Sequence, residues 1–73
     1  MASYEVKSEV TGSVWKFVTE VGQTVAPGDT LMIIESMKME IPVIAEDGGT
    51  IEAFRVVEAE SVNEGQVVAV LRL

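Results

Sequence analysis

Apolar and polar residues alternate in short bursts along this chain, and no stretch keeps a 3.6-residue apolar period. Tyr4 to Val6 alternates, as do Val14, Lys16 and Val18, while Met39, Ile41 and Val43 share one face against Glu40 and Pro42 on the other. A period of two sends successive side chains to opposite faces, so these runs predict half-buried strands. Turn residues punctuate them at Gly12, Val21-Gly22, Pro27-Gly28-Asp29, Asp47-Gly48-Gly49 and Asn63-Glu64-Gly65. Thirteen Val and five Ile point the same way, because branched side chains lose less freedom on a pleated surface than in a helix. The pattern predicts seven or eight strands, over 3–9, 13–18, 24–25, 30–36, 39–45, 50–57, 61–62 and 67–73. Leu31 to Ile34 and Val67 to Leu71 are apolar on both faces and read as central strands, with the inward parity left open. Pro42 has no N–H to give a ladder and marks an edge or a bulge.

The chain also repeats itself. Shifting by 37 residues matches Gly12 with Gly49, Phe17 with Phe54, Val25 with Val62 and Gly28 with Gly65, and more weakly Val6 with Val43 and Glu9 with Glu46. Residues 1–36 and 38–73 therefore read as two copies of one unit, joined at Lys38, with Ala59 standing where the first copy has Gly22. A unit of short strands this small leaves its apolar face bare, and two copies can close on each other. The expected architecture is all-β: one domain over 1–73, a flattened antiparallel β-barrel or sandwich of two small sheets with pseudo-two-fold symmetry. That symmetry sets the turn at 35–40 and the chain ends at opposite poles.

Composition narrows the chemistry. With no cysteine and no histidine, disulfides, thiolate zinc sites, metal-ligating imidazole and Ser/His or Cys/His nucleophilic catalysis are all excluded. No catalytic or metal-binding residue is expected, and a domain this small leaves little room for a cleft with its own supporting shell. Twelve acidic against five basic residues give a net charge of -7, which repels nucleic acid and anionic membrane surfaces. The longest apolar run, Leu31 to Ile34, is too short to cross a bilayer, and the start Met1-Ala-Ser-Tyr-Glu lacks the features of a secretory signal. A cytosolic location is the expectation.

The chemistry that remains centres on Lys38. A two-residue hairpin between strands 30–36 and 39–45 puts Met37 and Lys38 at central positions that ordinarily take Gly or Asn, because the twist-matched turns need positive φ. Non-glycine residues held in that region tend to mark functional spots. Most lysines are exposed and do nothing in particular; here two methionines flank one at a turn tip, spending apolar surface where something is expected to pack. The alternative, weighed evenly for Met39, is that it folds back onto the barrel end. An amine on a flexible four-carbon stem suits modification by an enzyme that supplies its own base.

The run Glu35-Ser-Met-Lys-Met-Glu40, with Pro27-Gly28-Asp29 upstream and Asn63-Glu64-Gly65-Gln66 downstream, resembles the biotinyl domain of biotin-dependent carboxylases, whose signature is Glu-Ala-Met-Lys-Met. The resemblance covers essentially the whole chain. It implies a biotinyl/lipoyl-carrier (barrel-sandwich hybrid) fold of two four-stranded sheets, with biotin carried covalently on the Lys38 side-chain nitrogen. It also implies that Met37 and Met39 aid carboxylation and ligase choice. Glu35, Ser36 and Glu40 are candidates for contact with the ligase or another partner, the alternative for the two carboxylates being simple solvation. The implied role is a non-catalytic biotin carboxyl carrier, modified by a biotin protein ligase and serving a biotin carboxylase and a carboxyltransferase. Ser36 departs from the usual alanine, and the short Glu20-Val21-Gly22-Gln23 connection leaves out the protruding thumb of some bacterial carrier subunits. Two other readings stay open: a lipoate carrier for a 2-oxoacid dehydrogenase or glycine cleavage system, and an unmodified interaction module with an acidic contact surface. Flanking methionines argue against the first, and the scatter of acidic residues along the chain against the second.

Overall fold

Eight strands build the protein, whose computed structural model describes residues 2–73. Met1, where the first copy starts, lies outside the described residues. The strands are β1 (Ser3–Lys7), β2 (Gly12–Phe17), β3 (Thr24–Val25), β4 (Thr30–Ser36), β5 (Met39–Ile44), β6 (Gly49–Phe54), β7 (Ser61–Val62) and β8 (Val67–Arg72). They form two antiparallel four-stranded sheets, ordered β1-β8-β6-β3 and β5-β4-β2-β7. A shift of 37 residues carries β2 onto β6 and β3 onto β7 residue for residue, and it turns the strand order of one sheet into that of the other.

The fully buried side chains of the strands come from both sheets: Val14, Leu31, Met32, Ile34 and Val62 from one, Ile51, Val68, Ala69 and Leu71 from the other. Burying a side chain of this kind is worth roughly 1.5–3 kcal/mol, so the sheets are held together by the faces that the two copies present to each other. Phe17 and Phe54, equivalent in the two copies, meet with ring centroids 4.5 Å apart.

Each sheet is bulged twice. Leu31 and Trp15 are the extra residues in β4 and β2, and Val68 and Glu52 are their equivalents in β8 and β6. A bulge sets two residues against one on the neighbouring strand, which lets the adjacent pairs Leu31/Met32 and Val68/Ala69 all be fully buried. No single inward parity therefore runs along β4 or β8. Pro42 lies on β5, an edge strand, and pairs only with Ile33.

Several strands are shorter than the alternation predicts. β1 ends at Lys7 and not at residue 9 because Ser8 turns the chain: its N–H donates to the Gln66 carbonyl at 2.9 Å and its hydroxyl to the Val10 carbonyl at 2.6 Å. β6 ends at Phe54 and not at residue 57, where the Val57 N–H is taken by the Glu60 carboxylate at 3.0 Å. β2 and β6 each begin one residue early, at the glycines Gly12 and Gly49, which pair with Val62 and Val25. No helix among the described residues is long and apolar enough to cross a membrane.

Candidate functional site

The β4–β5 hairpin is built from the core outward. Ile34 is fully buried and pairs with Ile41; one step further out Glu35 pairs with Glu40, and the last pair is Ser36 with Met39. Only Met37 and Lys38 remain to reverse the chain. Their φ values are 52° and 65°, so both occupy the left-handed region that a two-residue turn matching the strand twist requires. For residues with a Cβ this costs roughly 1–2 kcal/mol each, and the flanking ladder must hold them there.

Two contacts reinforce the ladder at this end. The Ser36 hydroxyl donates to the Thr11 carbonyl at 2.8 Å, and the Thr11 hydroxyl oxygen accepts the Glu64 N–H at 3.0 Å. The end of β4 is thereby tied to the loop before β2 and to the turn before β8. Gly12 completes the clamp by close approach: a Cβ built there would overlap the Glu35 carbonyl oxygen, so only glycine lets β2 lie this near the end of β4.

At the tip, Lys38 is exposed, Met37 is 91% exposed and Met39 is 62% exposed. Met39 shares the parity of Ile41 and Val43 along β5, yet it does not fold back onto the barrel. Glu35 and Glu40 are both exposed and directly opposite each other, a like-charge pair that works against the hairpin and leaves a concentrated negative charge behind the lysine. The turn thus presents one amine flanked by two thioethers, and all six residues singled out in the sequence (Glu35, Ser36, Met37, Lys38, Met39 and Glu40) stand on it. No group of three or more His, Cys, Asp or Glu able to hold a metal exists among the described residues.

Three features escaped the sequence reading. The Ser36–Thr11–Glu64 tether joins segments far apart in the chain, and no local pattern announces it. The bulge at Trp15 leaves that residue 46% exposed, with the Lys16 ammonium 4.6 Å from its ring centroid. Its signal was available: Trp15 and Glu52 are equivalent under the repeat and chemically unlike. The third is an open groove of about 680 Å³ between the edge strands β1 and β5, lined by Val6, Val10, Ile41, Pro42 and Val43 together with flanking charges. It does not include Lys38.

Residues 2–71 match the biotin/lipoyl family model described as "Biotin-requiring enzyme". The chain is 37% identical over 62 residues to a biotin/lipoyl attachment protein of Bacillus subtilis, covering 85% of each. It is 36% identical over 67 residues to the biotinylated protein TB7.3 homolog of Mycobacterium leprae, covering 92% of this chain and 94% of that one. The crystal structure of Kluyveromyces lactis urea carboxylase contains a segment that superposes with a TM-score of 0.94 at 36% identity, covering 99% of this chain and 6% of that much longer one. The all-strand architecture of two four-stranded sheets is the one that superposes on the K. lactis segment, and the chain belongs to the biotin/lipoyl attachment family of biotin-requiring enzymes.

Proposed function

We propose that this chain, as a single carrier domain over 1–73, is a biotin carboxyl carrier that holds biotin in amide linkage on Lys38. The observation that carries the proposal is the turn itself: Met37 and Lys38 held at positive φ, with the lysine and both methionines exposed. A fold that only needed to reverse the chain would do so at lower strain with Asn-Gly. The residues fit the group, because attachment needs an accessible primary amine on a mobile stem and a firm backbone beneath it.

Attachment is work for a biotin protein ligase. The Lys38 ammonium sheds two protons to bases outside this chain, its nitrogen attacks an activated carboxyl carbon, an amide bond forms and the leaving group departs with the bonding pair. Held on Lys38, biotin would supply a ureido nitrogen able to carry a carboxyl group between a biotin carboxylase and a carboxyltransferase. This chain does no chemistry in those transfers. It supplies reach and a high effective concentration, since an arm on a rigid shell turns each encounter into an intramolecular one. Met37 and Met39 offer adaptable apolar contacts to the partner sites, and Glu35, Ser36 and Glu40 are read as surface seen by the ligase or another partner. The M. leprae relative is by its name biotinylated, and the K. lactis protein is a carboxylase, which supports biotin over lipoate. Incubating the chain with a biotin protein ligase and, in parallel, a lipoate ligase, and reading the mass of the Lys38 peptide, tests this. Lipoyl addition without biotin would transfer the protein to the lipoate-carrier role.

A further inference from the structure

Four methionines are the only sulfur-bearing residues of this chain, and three of them lie on the hairpin strands or the turn between them. Met32, on β4, is fully buried, whereas Met37 is 91% and Met39 62% exposed. Exposed thioethers oxidise more readily than buried ones, so one hairpin holds two open methionines and one shielded methionine. With no cysteine present, no thiolate competes for the oxidant. The two open methionines also bracket the amine. Met37 precedes Lys38 in the turn, and Met39 follows it, paired with Ser36.

We propose that Met37 and Met39 form a reversible oxidation site for peroxides that governs whether Lys38 can be acylated; the inference rests on reading Lys38 as the attachment residue. The step balances within itself. A sulfur lone pair attacks one peroxide oxygen, the O–O bond breaks, an S–O bond forms, and water leaves from hydrogen peroxide or an alcohol from an organic peroxide. Sulfur loses two electrons and the peroxide gains them. Methionine sulfoxide reductases reverse it, removing the oxygen as water while a dithiol is oxidised to a disulfide. A sulfoxide replaces a flexible apolar contact with a strong dipole that must be desolvated unsatisfied when the turn enters an apolar pocket. The barrel is untouched, because the methionine inside it is shielded.

The test treats the full chain with graded hydrogen peroxide, maps oxidation at each methionine by peptide mass spectrometry, and then measures the initial rate of biotin loading by a biotin protein ligase. Expected are oxidation at Met37 first, Met39 next and Met32 last, with loading slowed about tenfold and restored by the two sulfoxide reductases together. The double variant Met37→Leu, Met39→Leu, compared only with its own untreated rate, should load independently of peroxide. Oxidation of Met32 in step with Met37, unchanged loading of the oxidised chain, or equal peroxide inhibition of the leucine variant overturns the proposal. An untreated chain that takes no biotin on Lys38 overturns it together with the carrier reading. The oxidation map, scored separately, distinguishes that failure from a failure of the sulfur chemistry.

Discussion

The Ser36 hydroxyl and the Thr11 carbonyl oxygen stand 2.8 Å apart, joining the last residue of β4 to a loop 25 positions earlier in the chain. The equivalent position in the second copy is Leu73, whose backbone N–H donates to the Ala2 carbonyl at 2.9 Å but which has no hydroxyl. The side-chain tether therefore belongs to the lysine end alone. Ser36→Ala removes it and leaves a carbonyl that water can reach. The expected loss is about 0.5–1 kcal/mol, or roughly 3–6 °C in melting temperature, with biotin still accepted on Lys38. Thermal unfolding followed by circular dichroism, paired with a ligase assay, checks both halves.

Gly12 and Gly49 are equivalent under the repeat and crowd equivalent carbonyls, those of Glu35 and Arg72. Alanine at either should push a strand off its neighbour and destabilise by about 1–3 kcal/mol, measured by urea unfolding. The functional consequences should differ. Gly12→Ala displaces the end of β4 beneath the turn and slows biotin loading, whereas Gly49→Ala lowers stability with loading unchanged in the fraction that stays folded.

Gly22 and Ala59 occupy the same turn in the two copies, with φ of 93° and 71°. Alanine bears the steric cost of the left-handed region and glycine does not. Ala59→Gly should therefore stabilise the protein by about 1 kcal/mol despite the greater freedom of its unfolded chain, and Gly22→Ala should destabilise it by a similar amount. A shift of both urea midpoints in the same direction contradicts this.

Tyr4 predicts a pH dependence. Burial raises its phenol above the ordinary value of 10.0, and the nearby Asp47 and Glu46 carboxylates add to that. The folded state thus favours the neutral phenol, which donates to the Asp47 carbonyl. Its contribution is complete below the unfolded phenol's pKa and is lost as pH rises through the higher folded value. Stability should fall in that alkaline window, and less steeply in Tyr4→Phe, as read from unfolding free energies across the range.

Much of this was legible in the sequence. The turn glycines and the period of two located all eight strands, and the 37-residue repeat supplied the pairing of the two halves. Met37-Lys38 between two apolar strands announced the strained turn. What stayed hidden depends on contacts between distant segments. The bulges at Leu31 and Val68 arise from the register with neighbouring strands, so the inward parity of β4 and β8 was unreadable from alternation. Ser8 looks like one more strand residue until its partners at Val10 and Gln66 are seen. Met39 keeps the apolar parity of its strand but sits beyond the last covering side chain, so its exposure follows from the length of the barrel and not from its pattern.

The most direct measurement is peptide mass spectrometry of the chain after incubation with a biotin protein ligase, biotin and ATP. The chain has three lysines, Lys7, Lys16 and Lys38, and all three are exposed, so exposure alone does not choose among them. A single biotinyl group confined to Lys38, and no addition to Lys38→Arg, is the predicted result. Biotin spread over Lys7 and Lys16, or absent from Lys38, would contradict the claim that the strained, methionine-flanked turn is what the ligase reads.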